Sequence, residues 1–282
     1  MKLSVITICL NNIEGLRRTI ASVVSQTWKD FEWIIVDGGS VDGSKELIEE
    51  NQSLVSFWCS EPDKGIYHAM NKGAAKATGD YLLFMNAGDV FYDSSVLETV
   101  HAIGLRSDIV SGQAVRMDNG QLLRHYDQDI MMQLLNDTIN HQATFIRREL
   151  FEEMRYDESL TLVSDWKFWL EALILRHCSY DVMDIRISKQ DMTGISYSDQ
   201  YKDRQNLERE SVLEELFPQR VIDSLRNYSS FKKQPENRNM SYLKNKHPLV
   251  FRVFKKLISF VTIVSLKFSK DKYPADGRQL QY

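Results

Sequence analysis

The sequence lacks several features that would assign a protein class at once. Its three cysteines, Cys9, Cys59 and Cys178, lie far apart, and no Cys-x-x-Cys pair occurs among the 282 residues. This pattern excludes a disulfide framework and a paired-cysteine zinc site. The net charge of -4 gives the chain no general attraction to nucleic acid, so we expect no nucleic-acid partner. With 43% hydrophobic and 26% charged residues, the composition is typical of one large domain with an appendage.

Glycine-rich phosphate-binding loops are missing too. No Gly-x-Gly-x-x-Gly follows the first apolar run, and no Gly-x-x-x-x-Gly-Lys-Ser/Thr occurs anywhere. We therefore expect a cation, rather than a glycine loop, to hold any phosphate. The first ten residues differ from a signal peptide because Ser4 and Thr7 interrupt the apolar run and no small-residue cleavage pattern follows. This predicts a cytoplasmic location.

Short strand-like runs alternate with amphipathic segments in the first third of the chain. Apolar and β-branched residues fill runs at 3–10, 31–36, 55–60 and 80–85. Between these runs, apolar residues recur every three or four positions, which is typical of helices. The alternation predicts an α/β fold with a mostly parallel sheet flanked by helices.

Polar turns follow two of these predicted strands. The fourth strand ends in Asn86-Ala87-Gly88-Asp89, and the second ends at Asp37, before a loop with three glycines. Ligands collect at the carboxyl ends of parallel strands, where Asp89 could hold a divalent cation and Asp37 could bind a nucleotide base. The alternatives are a turn in which Asp89 bonds its own backbone and a helix cap at Asp37.

Taken together, several motifs resemble the nucleotide-binding half of family-two glycosyltransferases. The matching segments are residues 5–7, 11–12, 35–44, 60–67, 70–73 and 77–81, and the resemblance extends over roughly residues 3–200. It implies a GT-A fold and an inverting transfer of one sugar from a UDP-, GDP- or dTDP-sugar, with Mg²⁺ or Mn²⁺ as cofactor. The most similar members are bacterial enzymes that extend capsular polysaccharides or exopolysaccharides.

The resemblance assigns roles to individual residues near the donor. The implied donor-binding residues are Thr7, Asn11, Asp37, Asp63, Lys64, Asn71 and Asn86. Asp89 is the implied metal ligand, at the end of the family's Asp-x-Asp region. The common form there is Asp-Ala-Asp-Asp, whereas this chain keeps only the last carboxylate. We therefore expect the cation to take one carboxylate, with diphosphate oxygens and water as its other ligands.

Three residues in the second half complete the implied site. The family places its catalytic base at Asp165, which would accept the proton of an acceptor hydroxyl; a helix cap is the alternative. His141 would face the cleft, or it is a structural histidine. Trp166 would stack on a sugar, or it belongs to the core. Residues 191–196 resemble the segment that closes over the donor, while residues 201–216 read as a charged, solvated helix.

The C-terminal part has a different composition. We predict a catalytic domain at 1–217, a polar linker at 218–247 and a basic amphipathic tail at 248–282, the C-terminal helical extension. The longest charge-free run of the tail, residues 257–266, is about half the roughly 20 residues that span a bilayer. Its lysines and arginines favour peripheral contact with the cytoplasmic face of the membrane. The alternative is a helix that packs on the core or forms an oligomer.

The sequence thus predicts a glycosyltransferase that acts on a glycan or lipid-linked acceptor in cell-surface polysaccharide biosynthesis. Two alternatives have a different chemistry. One is a non-catalytic nucleotide-sugar-binding or scaffold protein, which the missing carboxylates at Asn86 and Gly88 would suit. The other is a nucleotidyltransferase, which would need a basic, glycine-rich loop where residues 11–14 lie.

Overall fold

The computed structural model of the chain describes residues 1–123, 130–194, 197–234, 244, 246–253 and 255–257. The chain divides into two compact units, Met1–Pro218 and Gln219–Tyr282. The strands of the first unit are β1 (Leu3–Cys9), β2 (Phe31–Asp37), β3 (Phe57–Ser60), β4 (Tyr81–Phe84), β5 (Val90–Phe91), β6 (Ile109–Arg116), β7 (Thr144–Arg147) and β8 (Tyr180–Gln190).

Helices connect most of these strands. They are α1 (Ile13–Val24), α2 (Ser44–Glu50), α3 (Ile66–Lys76), α4 (Val96–Ile103), α5 (Ile130–Asn136), α6 (Arg148–Glu153), α7 (Ser164–Trp169) and α8 (Lys202–Leu216). Short 3₁₀ turns lie at Gln52–Leu54, His141–Ala143 and Asp199–Tyr201, and a π-helical stretch, Leu170–Leu175, continues α7.

The eight described strands form one mixed sheet in the order β3-β2-β1-β4-β7-β6-β8-β5. Strands β1 to β4 are parallel to one another, and β7 runs antiparallel to both β4 and β6. All seven residues of β1 are buried, because this central strand is covered on both faces. Helix α1 packs through Leu16, Ile20 and Val23, which recur at helical spacing, and the Asn12 side chain caps its start.

The strand directions decide which residues can meet. Strand β6 runs in the direction of β4 because both are antiparallel to β7, and β8 is parallel to β6. The carboxyl ends of β1 to β4, β6 and β8 therefore share one edge of the sheet with the beginning of β7. We call this the active edge. Segments as distant in sequence as residues 86–89, 141–144 and 191–194 meet there.

The second unit begins with helix α9, Gln219–Lys233. It occupies the first half of the predicted linker, so that half is helical instead of irregular. Ile222, Leu225 and Tyr228 recur every three residues, which is compatible with a helix, but the many polar residues between them make this pattern weak in the sequence. Most of the predicted tail lies outside the described residues. Within the described part, no helix is long and apolar enough to cross a membrane.

Candidate active site

The loops after β1 and β2 are joined by Asn11. Its backbone is left-handed, with φ 48°. Its N–H donates to Ser40 Oγ over 2.7 Å, and its Oδ1 accepts from Val41 N over 2.9 Å. Asn11 therefore holds the loop after β1 against the loop after β2 at the active edge.

Asp37 and Thr7 lie beneath these loops and are fully buried. The Asp37 carboxylate accepts from Gly39 N, Ser40 N and Ser40 Oγ within its own loop, and from Ser60 Oγ after β3. Thr7 Oγ1 accepts from Trp33 Nε1 over 3.1 Å. In this arrangement both side chains organise the loops from within, and neither presents a free surface to a nucleotide.

Asp63 comes from the loop after β3 and reaches the loop after β2. Its Oδ1 accepts from Gly65 N over 2.8 Å, and its Oδ2 would lie 2.5 Å from a Cβ atom at Gly38. Glycine at position 38 therefore allows the close approach of the Asp63 carboxylate. The backbone N–H of the exposed Lys64 donates to His68 Nδ1 over 3.2 Å, at the start of α3. Both predicted residues thus lie in the loop between β3 and α3, at the active edge.

Asn71 lies elsewhere and is only 6% exposed. Its Nδ2 donates to Tyr156 O over 2.8 Å and to Glu158 Oε1 over 2.9 Å, while its Oδ1 accepts from Tyr156 N over 3.0 Å. These bonds use the whole amide to tie α3 to the segment after α6. The contacts of Asn71 are structural.

A chain of hydrogen bonds runs through Asp165 to the turn after β4. Asp165 Oδ1 accepts from Tyr67 Oη over 3.0 Å, and its Oδ2 lies 3.1 Å from His141 Nδ1. His141 Nε2 lies 3.2 Å from Asn86 Nδ2. A neutral imidazole satisfies both contacts when Nδ1 carries the proton and Nε2 accepts from the Asn86 amide. The structure therefore brings Asp165, His141 and Asn86 together.

Asp165 is held as a carboxylate. Burial alone would raise its pKa, but the hydrogen bonds from His141, Tyr67 and Trp166 N outweigh burial and lower the pKa. Burial and the Asp165 charge raise the pKa of Tyr67 well above its ordinary value, so Tyr67 remains a donor. The capping alternative is met only in part: the N-cap residue is Val163, which makes no side-chain cap, while Asp165 Oδ1 accepts from Trp166 N within the first turn.

The turn after β4 contains a second carboxylate from a distant segment. Asp89 is 5% exposed, its Oδ1 accepts from Asp191 N over 2.9 Å, and burial raises its pKa to about 6. Gly88 has φ 111°, and a Cβ atom there would lie 2.9 Å from Asp191 Oδ2. That oxygen also accepts from Arg18 Nη2 over 2.6 Å. Asp191 thus occupies the space of a side chain at position 88, where the family's common motif has an aspartate.

No individual role for Asp191 could be predicted from the sequence. Its signal is topological, because β8 is parallel to β6 and its carboxyl end reaches the active edge. Asp191 is 102 positions from Asp89 along the chain, so the sequence around Gly88 and Asp89 does not reveal this contact.

The oxygen groups of this turn suit a cation that takes few protein ligands. Asn86 Oδ1 is buried and accepts no hydrogen bond from the described residues, and Asp89 supplies a carboxylate. Both are hard oxygen donors of the kind that Mg²⁺ and Mn²⁺ bind. In the part of the chain that the structure describes, no three His, Cys, Asp or Glu side chains form a metal-binding group. Most ligands of such a cation would therefore come from the substrate and water.

Trp166 does not line the cleft. Its ring is 2% exposed, its Nε1 donates to Leu134 O over 2.6 Å, and the guanidinium carbon of Arg209 lies 4.8 Å from the ring centroid. This position matches the core alternative, and no face of the indole is free to stack on a sugar.

Helix α8 positions the segment that carries Asp165. Glu208 accepts from Thr161 N over 3.1 Å and from Leu162 N over 2.9 Å, just before α7. Lys167 of α7 donates to Glu215 over 2.7 Å. The sequence predicted a solvated face for this charged helix, and for the Glu208 side this was wrong. Glu208, Val212 and Glu215 recur every three or four residues, which is the signal that could have revealed the contact face.

Comparisons with known proteins give the family. The profile described as Glycosyl transferase family 2 matches residues 4–166, a range that ends one residue after Asp165. A PGL/p-HBAD biosynthesis glycosyltransferase of Mycobacterium bovis is 35% identical over 173 residues, which cover 58% of this chain and 67% of the relative.

Two solved structures share the fold. One is TarS 1-349 of S. aureus in complex with UDP, with a TM-score of 0.55 and 19% identity; the match covers 68% of this chain and 60% of TarS. The other is the mannosyltransferase PcManGT of Pyrobaculum calidifontis in complex with GDP-Man and Mn²⁺, with a TM-score of 0.60 and 13% identity, covering 95% and 81%. The predicted GT-A fold, a mixed, mostly parallel sheet flanked by helices, is confirmed. The chain belongs to glycosyl transferase family 2.

Proposed function

We propose that this glycosyltransferase moves one sugar, with inversion, from a nucleotide-diphosphate sugar to a hydroxyl of a glycan or lipid-linked acceptor. The observation that carries the proposal is the hydrogen-bonded chain from Tyr67 through Asp165 and His141 to Asn86. This chain links the ionised carboxylate of Asp165 to the turn after β4, where the family resemblance implies that the donor diphosphate binds.

Asp165 is the general base in this proposal. An acceptor hydroxyl becomes nucleophilic as it loses its proton, and a carboxylate within hydrogen-bond reach suffices to accept that proton. Tyr67 and His141 fix the orientation of Asp165 through both of its oxygens, while 12% of the side chain remains exposed for the approach of the acceptor. The hydroxyl attacks the anomeric carbon from the side opposite the diphosphate, which inverts the configuration.

Asp89 and Asn86 Oδ1 would hold a divalent cation, Mg²⁺ or Mn²⁺. When bound, the cation supplies positive charge that stabilises the diphosphate leaving group. The Mn²⁺ bound to PcManGT supports this choice. Hydrogen bonds with Asp191 N and the Gln142 side chain fix the orientation of the Asp89 carboxylate.

The donor is proposed to be a UDP-, GDP- or dTDP-sugar, since TarS binds UDP and PcManGT binds GDP-Man. Asn11, Asp63 and Lys64 lie in the loops that would surround the nucleotide. The M. bovis relative is named for PGL/p-HBAD biosynthesis, and its similarity supports our proposal that this chain acts in cell-surface polysaccharide or glycolipid synthesis.

We further propose that residues 1–217 form the catalytic domain and that the basic tail contacts the cytoplasmic face of the membrane. A chain that ends near Asn227 should then leave the membrane fraction. Equal membrane association of the shortened and full chains would contradict the role of the tail.

A non-catalytic nucleotide-sugar-binding protein is the second candidate. The observation in its favour is the lack of a three-residue metal-binding group among the described side chains. Such a protein would bind nucleotides without turnover.

The experiment that separates the two candidates screens UDP-, GDP- and dTDP-sugars for release of the nucleoside diphosphate, with and without Mn²⁺. Turnover that needs Mn²⁺ supports the enzyme, and binding without turnover in every case supports the scaffold. Thermal shift with each nucleoside diphosphate measures binding directly. We expect Asp89→Asn to abolish the Mn²⁺-dependent part of the shift, with Asp30→Asn as an exposed control. An unchanged Mn²⁺ effect would remove Asp89 from the site.

A further inference from the structure

Arg209 of α8 is a largely buried cation without a matching anion. Its Nε is buried and has no hydrogen-bond partner among the described residues. Its Nη2 donates to a main-chain carbonyl, Asp137 O, over 3.2 Å. No carboxylate in the described part of the chain forms an ion pair with it, although the charges of Asp165 and Asp137 lie near enough to favour its charged form.

Burying the Arg209 guanidinium without an anion lowers the stability of the fold unless a bound anion pairs with it. A buried charge without a partner destabilises a fold, so buried guanidinium groups are normally paired with carboxylates or bound anions. Burial is the largest influence on Arg209, and it lowers the pKa. The fork of N–H donors on arginine fits the two oxygens of a phosphate or carboxylate.

The position of Arg209 is fixed relative to the proposed base. Its guanidinium carbon lies 4.8 Å from the centroid of the Trp166 ring, and Trp166 directly follows Asp165. The Trp166 indole is itself anchored to Leu134 O at the end of α5. The stacked guanidinium is therefore held beside Asp165 in one orientation before any ligand arrives.

Arg209 and the turn after β4 reach Asp165 through different neighbours. His141 connects Asp165 to Asn86, where the diphosphate is expected, whereas Arg209 packs on Trp166, the residue after Asp165, and feels the Asp165 charge. We propose that Arg209 binds an oxyanion, a phosphate or a carboxylate, carried by the acceptor. This inference rests on the proposed function, because the proton-accepting role of Asp165 brings the acceptor close to Asp165 and hence to Arg209.

The test uses the full chain and inorganic phosphate as the probe, with affinity measured by calorimetric titration at low ionic strength. We expect Arg209→Gln to weaken phosphate binding at least tenfold and Arg209→Lys to weaken it less, because lysine keeps the charge but loses the fork. Arg176→Gln is the matched control: Arg176 is an exposed arginine that pairs with Glu153. Thermal melts of each variant show that it is folded.

A second arm separates the acceptor from the donor as the source of the oxyanion. Titrations of UDP and GDP with Mn²⁺ should give the same affinities for Arg209→Gln as for the unmodified chain, and a saturating nucleoside diphosphate should leave phosphate binding at Arg209 intact. Competition between phosphate and the nucleoside diphosphate, or loss of nucleotide affinity in Arg209→Gln, would overturn the acceptor assignment. Equal phosphate binding by the unmodified chain, Arg209→Gln and Arg209→Lys would overturn the oxyanion site itself.

Asp165→Asn distinguishes failure of this inference from failure of the proposed function. That variant should still bind phosphate through Arg209, because the guanidinium and Trp166 are unchanged. If Asp165→Asn continues to transfer sugar, Asp165 is not the base, whether or not Arg209 binds phosphate. If transfer stops but phosphate never depends on Arg209, the base assignment stands and the oxyanion site is wrong.

Discussion

The two halves of the catalytic unit use their polar side chains differently. In the half built on β1 to β4, Thr7 and Asp37 accept hydrogen bonds from neighbouring protein groups, and Asn71 both donates and accepts them. In the half that begins with the turn after β4, Asn86 Oδ1 and Arg209 Nε are buried without partners among the described residues. The polar groups of the first half stabilise the frame, and we propose that the unpartnered atoms of the second half bind ligands. Protein groups left open in this way are expected where substrates bind.

The contacts around Asp165 and Asp89 join residues that are far apart in sequence. Tyr67 and Asp165 are 98 positions apart, and Asp89 and Asp191 are 102 apart. The loop after β2 is more local, since the Asp37 carboxylate bonds residues two and three positions away. Short-range bonds order this loop, whereas tertiary topology brings Asp165 and Asp89 to the active edge. Substitutions in the two halves should therefore have different effects, and the largest are expected where the long-range contacts meet.

His141 should give a large effect on activity with a small effect on folding. In His141→Ala, Asp165 loses the donor that orients Oδ2, so we expect transfer to fall about 10- to 100-fold while the nucleoside diphosphate still binds. His141→Asn keeps an N–H donor near the position of Nδ1 and should recover part of the rate. Turnover and nucleotide titrations measured side by side provide the check, and equal rates for both variants would contradict the orienting role.

Gly88 tests whether Asp191 occupies the space of the missing carboxylate. Gly88→Ala should cost about 1–3 kcal/mol in the free energy of unfolding, because a Cβ atom would meet Asp191 at a backbone angle that favours glycine. Gly88→Asp should cost at least as much, and adding Asp191→Gly should relieve the steric part of the loss while the strain at φ 111° remains. Urea denaturation measures each step. Additive losses in the double variant would show that the two positions do not share this space.

Glu208 tests the role of α8 in holding the base segment. Glu208→Gln leaves an amide that can accept from Thr161 N or Leu162 N but lacks the charge, so we expect unfolding free energy to drop by about 1–2 kcal/mol. The matched control is Glu214→Gln, an exposed position on the same helix. A loss no larger than that of the control would mean that the helix contributes only a solvated face.

Glu32 gives the smallest expected effect and reports on the frame. Burial alone would raise its pKa, but hydrogen bonds from Ser4, Thr78 and Gly79 lower the pKa below its ordinary value of 4.5. The ionised Glu32 carboxylate therefore contributes fully to the free energy of unfolding above pH 4.5, and this contribution is lost as the pH falls through the lower folded-state pKa. Glu32→Gln should lower the free energy of unfolding by about 1 kcal/mol at pH 7. The variant should also lose less of its stability than the unmodified chain as the pH falls into the acid range. Parallel acid profiles for both proteins would contradict this.

The sequence predicts the frame well because its signals are local. Alternating apolar runs give β1 to β4, and the polar turns at Asp37 and Asn86 mark the active edge. The sequence also predicts Asp165, His141 and Asp89, which the structure brings to that edge. What it could not predict depends on tertiary contact: the hydrogen bond of Trp166 to Leu134 O, the hydrogen bonds between Asn71 and Tyr156, and the contact of Asp191 with Gly88.

The measurement that tests the central claim most directly compares Asp165→Asn with the unmodified chain in two assays, sugar transfer and nucleoside diphosphate binding. Asparagine keeps the size of the side chain and can still accept a hydrogen bond, but it cannot accept the proton of a hydroxyl. We predict that transfer falls about 10²–10⁴-fold while binding changes little. Transfer at an unchanged rate would contradict the assignment of Asp165 as the base.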